Sequence, residues 1–245
     1  MSAGAAYAPP RTFAAKVNRR LTQWRAAAPA HLAFDRPLLS ICFDDFPASA
    51  AAHGAAILEH YNGRGTFYAA ADLAEKDGPC GAGFSASDLT RLRRAGHEIG
   101  CHTFSHKDCA SMPAYDALID IARNRDALKE MGHSQPLTTL AYPYGETSSD
   151  LKRALPPRFL GARGIQPGLN VGRVDLAQLR AFALFGAGAM ARTHRALRRA
   201  AHAKAWMIAF THDVDDAPSP WGTSIEAFER FVVAARDAGV ALVPV

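Results

Sequence analysis

A single α/β domain of barrel type is the fold class that this sequence predicts. Short apolar runs rich in strand formers alternate with amphipathic helical stretches from residue 38 to residue 245, without a linker-like break. The chain has 245 residues, 49% of them hydrophobic, which suits one large core. The polar clusters fall at the C-terminal ends of the strand-like runs, the rim on which parallel barrels carry their sites.

The elements follow in order. Residues 1–37 read as a tail and an added helix packed on the barrel, and residues 38–245 as the barrel. Over residues 12–28, Phe13, Val17, Leu21 and Trp24 recur at spacings of three and four with Lys16, Arg19, Arg20 and Arg25 between them, an amphipathic helix with a basic polar face. It either packs on the barrel or docks on a membrane surface. The first strand, Leu38 onward, stops at Asp44-Asp45-Phe46-Pro47. Further strands are predicted at residues 66–70, 98–101, 137–142, 159–165, 179–184, 206–210 and 240–245. Helices are predicted at 48–62, 87–95, 113–131, 151–155, 189–204 and 225–238.

Charge and cysteine content narrow the function classes. With 28 Lys and Arg against 23 Asp and Glu, the formal charge of +5 favours an anionic partner or surface but falls short of a nucleic-acid signature. The four cysteines show no CxxC pair, so reduced thiols are expected, with Cys42 and Cys101 as small packing residues. The N-terminus lacks the pattern of a signal peptide, and no apolar window approaches a membrane span. A cytoplasmic protein, peripheral at the inner face of the membrane, is the expectation. The oligomeric state stays open.

Four clusters should converge on one rim: Asp44 and Asp45, His102 and His106, Tyr142-Pro143-Tyr144-Gly145, and His212 with Asp213. If the loop at residues 102–106 makes one helical turn, both imidazoles project from one side and suit a shared metal. A carboxylate from the first strand completes a His-His-Asp set that leaves positions open for water, as catalytic metal sites do. The HxxxH spacing carries no glutamate next to its first histidine, unlike the metalloprotease helix, so a base must come from elsewhere. The second aspartate is available, and the sequence leaves open which aspartate takes which role.

Phe43-Asp44-Asp45, His102-Thr103-Phe104-Ser105-His106, Ala141-Tyr142-Pro143-Tyr144-Gly145 and Phe210-Thr211-His212 resemble, in order, the motifs of the polysaccharide deacetylases with a NodB-like domain (carbohydrate esterase family 4). The resemblance runs over roughly residues 38–245. It implies a distorted (β/α) barrel of about seven parallel strands, a divalent metal and removal of acetyl from N-acetylated, GlcNAc-type sugar units of a polysaccharide or carrier-linked oligosaccharide. It further implies Asp44 as base, Asp45 with His102 and His106 as metal ligands, the Tyr144 N–H as oxyanion donor, and His212 as acid. Zn²⁺ is the expected ion, with Co²⁺, Ni²⁺ and Mn²⁺ as alternatives. A same-fold amide hydrolase on another small substrate and a silent glycan-binding protein are the competing readings.

The chain departs from the family in two places. The arginine that commonly opens the third motif is replaced by Ala141, and Arg163 at the next strand end is the candidate substitute. The Asp-Trp motif that orients the acid histidine is not evident; Asp175 is its candidate remnant, against a plain loop aspartate. Tyr142, Tyr144 and Trp221 are candidates for stacking on sugar rings, with loop-pinning as the alternative for Trp221. The acids Asp213, Asp215 and Asp216 read as solvated loop residues, with contact to the substrate or the edge of the metal site as the alternative. The basic face Arg192, Arg195, Arg198, Arg199 and Lys204 reads as solvated, with an anionic lipid carrier or membrane surface as its second reading.

Overall fold

A computed structural model describes residues 12–245; the expected tail at residues 1–11 lies outside the described residues. The elements are α1 (Phe13–Trp24), β1 (Pro29–Leu32), β2 (Leu38–Phe43), α2 (Ala55–His60), β3 (Thr66–Ala69), α3 (Ala86–Arg94), β4 (Glu98–Cys101) and α4 (Ala114–Glu130). They continue with β5 (Thr139–Ala141), α5 (Ser149–Ala154), β6 (Gly161–Arg163), β7 (Gly172–Asp175), β8 (Phe182–Ala183), α6 (Ala189–Ala203), β9 (Trp206–Thr211), α7 (Ile225–Asp237) and β10 (Ala241–Leu242).

Seven parallel strands form one curled sheet in the order β8-β9-β2-β3-β4-β5-β6, and β10 runs beside the start of β2. The curl brings the outer strands together. Leu179 bridges Arg163 of β6, its N–H donating to the Ala162 carbonyl at 2.8 Å, and three residues later β8 pairs with β9. The expected sixth strand therefore exists as a bridge plus a two-residue ladder. Such closure leaves few exposed backbone groups at the sheet edge.

Because side chains alternate along a strand, each barrel strand divides its residues between two cores. In β2, Leu39, Ile41 and Phe43 face outward and pack with Leu58, Leu128 and Phe231 of the helical layer. Cys42 faces the lumen with Tyr68, Ala141, Ile208 and Phe210. A Cβ at position 100 would sit 2.4 Å from the Tyr68 ring, so Gly100 leaves the room that ring occupies inside the barrel. On α4 the buried line includes Asn124, whose amide joins Ala69 O, the Ala71 N–H and Cys101. All four cysteines are free; Cys42 and Cys101 are buried, and burial pushes their thiols up to about 12 and about 11. They pack and do not react.

One antiparallel pair was not legible in the sequence: β1 with β7, in register from Pro29 opposite Asp175 to Leu32 opposite Gly172. Both strands are short and partly exposed, so neither carries an apolar alternation. The pair is pinned by Asp175, which accepts the Ala27, Ala28 and Ala177 N–H groups and pairs with the buried Lys152 ammonium at 2.7 Å. Among the described residues, no helix is long and apolar enough to cross a membrane.

His97 supplies a pH test. Its Nδ1 accepts the Gly65 N–H at 3.0 Å, which requires the neutral ring, and Nε2 lies 3.1 Å from Glu59. Burial lowers its pKa below 6.5 against the pull of Glu59. A histidine with a depressed folded pKa contributes stability above its unfolded pKa, and that contribution is lost as pH falls below about 6.5 toward the folded value. Chemical denaturation between about pH 7.5 and 5 should show stability falling with acidification, with a shallower slope in His97→Gln. An unchanged slope refutes the assignment.

Candidate active site

Two adjacent residues of a regular strand point to opposite faces, so Asp44 and Asp45 share a site only if the backbone turns between them. It does. β2 ends at Phe43, and the Asp44 N–H still donates to Thr211 O at 2.9 Å as the sheet continues for one residue. Asp45 and Phe46 then take left-handed backbone, with φ of 57° and 52°. Such backbone costs about 1 kcal/mol or more per non-glycine residue. Phe46 offsets it: its ring is fully buried and stacked on Phe84 at 4.5 Å, burial of a kind worth about 1.5–3 kcal/mol.

The histidines converge differently from expectation. Residues 102–106 form no helical turn; Thr103 and His106 have φ of 61° and 51°, and the Asp120 carboxylate on α4 accepts the Phe104 and Ser105 N–H groups, both at 3.0 Å. Nothing in the chain marked Asp120 beforehand beyond its being an acid on the amphipathic α4. His102 Nδ1 donates to Ala141 O at 2.8 Å, which aims Nε2 into the site. His102 Nε2 and His106 Nε2 lie 3.4 and 2.9 Å from Asp45 Oδ1. Tyr144, also left-handed at φ 58°, sets its ring 4.9 Å from that of His106. Five of the eight described non-glycine residues with positive φ thus belong to this rim (Asp45, Phe46, Thr103, His106 and Tyr144), a concentration of strain typical of functional sites.

The three ligand atoms of Asp45, His102 and His106 lie within 4.8 Å of one another. Asp45 Oδ1 is buried and accepts no well-directed hydrogen bond, although two ring nitrogens face it. A buried carboxylate oxygen without a partner is costly. Two imidazoles and a carboxylate are a donor set that divalent zinc-like ions favour, and the carbonyl behind His102 fixes its tautomer as it does in metal sites. The residues present fit the metal that the sequence motifs imply.

Asp44 faces the other way, into the lumen. It pairs with Arg163 Nη2, and Arg163 is wholly buried with its guanidinium carbon 4.9 Å from the ring centroids of both Tyr68 and Phe210. Burial pushes the Asp44 carboxyl up, but the Arg163 charge, with His102 and His212, outweighs it and holds the group below its ordinary value. The position expected of Arg163, beside Asp44, is the position observed. An exposed surface arginine is excluded.

Comparison with known proteins fits this geometry. The family model for polysaccharide deacetylases matches residues 32–156, which hold Asp44, Asp45, His102, His106 and Tyr144. The chain belongs to the polysaccharide deacetylase family. A search of the curated proteins returned no match. Among solved structures, this family member is similar to a deacetylase determined with its substrate, with 20% identity, coverage of 85% of this chain and 88% of that one, and a TM-score of 0.60. It is also similar to the peptidoglycan deacetylase PdaC of Bacillus subtilis (18% identity, 87% and 90% covered, TM-score 0.55) and to a family 4 carbohydrate esterase of Streptomyces lividans in complex with acetate (16% identity, 85% and 92% covered, TM-score 0.56). At these identities the likeness is one of fold, the NodB-like (β/α) barrel.

Within this deacetylase fold, the remaining candidates divide. His212 reaches the rim: its Nδ1 lies 3.1 Å from Trp221 O and its Nε2 4.0 Å from Asp45 Oδ2, while Phe185 flanks the ring at 5.4 Å. Its orienting partner is that backbone carbonyl, so Asp175, engaged with Lys152 and the β1 segment, is not the orienting acid. Trp221 thus contributes a main-chain acceptor, and its ring is exposed. Tyr142 is corrected to a core residue: it is 1% exposed and its hydroxyl donates to Ala177 O at 2.8 Å, so it offers no face to a sugar. Asp213 is corrected from solvated to buried, with its carboxylate accepting Ser219 N–H and Oγ–H at 2.7 and 2.6 Å and shaping the loop that carries Trp221. Arg192, Arg195, Arg198 and Arg199 are exposed on α6.

Proposed function

We propose that this protein is a metal-dependent N-deacetylase that hydrolyses the acetamide of GlcNAc-type units in a polysaccharide or a carrier-linked oligosaccharide. One observation carries the reading: two neighbouring aspartates have opposite partners, Asp45 facing two imidazole nitrogens and Asp44 a buried guanidinium. That is a ligand and a base made distinct by their surroundings. A divalent cation held by Asp45, His102 and His106 would acidify a water and polarise the acetyl carbonyl; Zn²⁺ suits the donor set.

The protein's own groups do the rest. Asp44, kept anionic by Arg163, takes the proton of the attacking water. Oxygen adds to the acetyl carbon, and the Tyr144 N–H is the candidate donor to the resulting oxyanion. The carbon–nitrogen bond then breaks, and His212 Nε2 gives a proton to the departing amine, which cannot leave as an anion. Acetate and a free amino sugar result, without a covalent enzyme intermediate. The rings of Tyr144 and Trp221 are the surfaces offered to a pyranose face.

Acetate release from N-acetylglucosamine oligomers tests the reading. Turnover is expected to fall at least about 10²-fold on chelation and to return with Zn²⁺. No release from acetylated oligosaccharide, polymer or lipid-linked glycan with any of the four metals overturns it in favour of another amide substrate or a silent binder. Fractionation of the source cells tests the proposed cytoplasmic location at the inner membrane face, which a periplasmic protein would exclude.

A further inference from the structure

The first helix carries its apolar stripe on the side facing away from the barrel. Phe13 and Trp24 are each 83% exposed, Val17 and Leu21 about half as much. Among the described residues, polar contacts tie α1 to the barrel. Arg19 pairs with Glu146 at 2.8 Å, the buried Thr22 hydroxyl meets Ser149 at 3.2 Å, and the Lys152 ammonium donates to Thr22 O at 2.6 Å. A helix docked by its polar side, with its large apolar residues left in solvent, is oriented for a second apolar phase.

Charge identifies that phase. Residues 1–34 contain five of the 28 Lys and Arg and no Asp or Glu, so the other residues balance at 23 against 23, and the formal +5 of the protein resides in this segment. Lys16, Arg20 and Arg25 are exposed around the stripe. Two copies of such a helix stacked on each other would set like charges together, whereas an anionic bilayer surface meets both the stripe and the cations. Twelve residues rise about 18 Å, too short to span a bilayer and suited to lying in its interface.

We propose that α1 is an interfacial helix that docks this protein on an anionic lipid bilayer. The contacts place the docked face beside the reaction rim. Glu146, which holds Arg19, follows Tyr144 by two residues, and the partly exposed Ile165 packs over Gly145 of the same loop. Docking through α1 would bring the loop that carries Tyr144 to the headgroup layer, where a glycan on a lipid carrier is within reach.

Co-sedimentation of the full chain with vesicles tests this without reference to catalysis. Binding is expected to vesicles of phosphatidylcholine containing roughly a third phosphatidylglycerol, and to weaken as salt rises; pure phosphatidylcholine should bind at least about tenfold less. Phe13→Ser with Trp24→Ser should lower partitioning to the anionic vesicles at least about tenfold, with an unchanged thermal midpoint because both rings are exposed. Arg20→Glu with Arg25→Glu should do the same. Absence of binding, equal binding to both vesicles, or full binding by the apolar double variant overturns the proposal. A dimer in sedimentation velocity that the apolar double variant dissociates would assign the face to a second copy and overturn it as well.

Discussion

Asp44→Asn should lower kcat for deacetylation by about 10²–10⁴-fold, the range set by loss of a positioned general base. The amide is nearly isosteric and its oxygen still accepts from Arg163, so the barrel should stay folded, at a lower stability because the buried guanidinium loses its anion, and the Asp45, His102 and His106 cluster should keep its metal. Metal content by elemental analysis therefore separates this variant from Asp45→Ala or His102→Ala, which should lose metal and activity together. Retention of more than about a tenth of the parental kcat by Asp44→Asn would transfer the base role to another group and undo the division of labour between the two aspartates.

The second large effect is on stability. Arg163→Met removes a guanidinium that is 0% exposed, packed between Tyr68 and Phe210, and paired with Asp44. The methionine fills much of the volume but leaves a carboxylate buried without its cation, which costs about 3–5 kcal/mol when one partner of a buried pair is deleted. At roughly 2–4 °C per kcal/mol for a chain of this size, the thermal midpoint should fall by roughly 6–20 °C. Activity at neutral pH should fall too, because burial then raises the Asp44 carboxyl with only His102 and His212 left to oppose it. The double variant with Asp44→Asn should recover part of the lost stability and none of the activity, since the stranded charge is gone but so is the base. Arg163→Lys should rescue incompletely, because an ammonium does not reproduce the planar fork between two rings. If Arg163→Met unfolds no earlier than the parent, the pair contributes nothing to stability; if its turnover is also unchanged, Arg163 does not position the base.

These two residues also show how the molecule divides between what its sequence states and what its fold decides. Strand alternation places Cys42, Asp44, Ile208, Phe210 and His212 on lumen-facing positions, and the residues 102–106 and 210–212 carry recognisable spacing. The barrel class, the helices and the five polar site positions on its rim were therefore legible in order along the chain. Local patterns of that kind are encoded by neighbours a few residues apart.

What the sequence by itself determined was which chemistry-bearing side chains sit at strand ends. Only the tertiary structure decided how they meet. A left-handed turn at Asp45 and Phe46, anchored by a ring buried on Phe84, aims two consecutive acids at different partners. Asp120 holds the histidine loop from a separate helix, and Arg163 reaches Asp44 across 119 positions of sequence. Tyr142 fell to the core because the same turn that exposes Tyr144 buries its neighbour two residues earlier, and α1 faces outward because polar contacts with Glu146, Ser149 and Lys152 hold its other side. Those outcomes depend on long-range packing, which no local periodicity records.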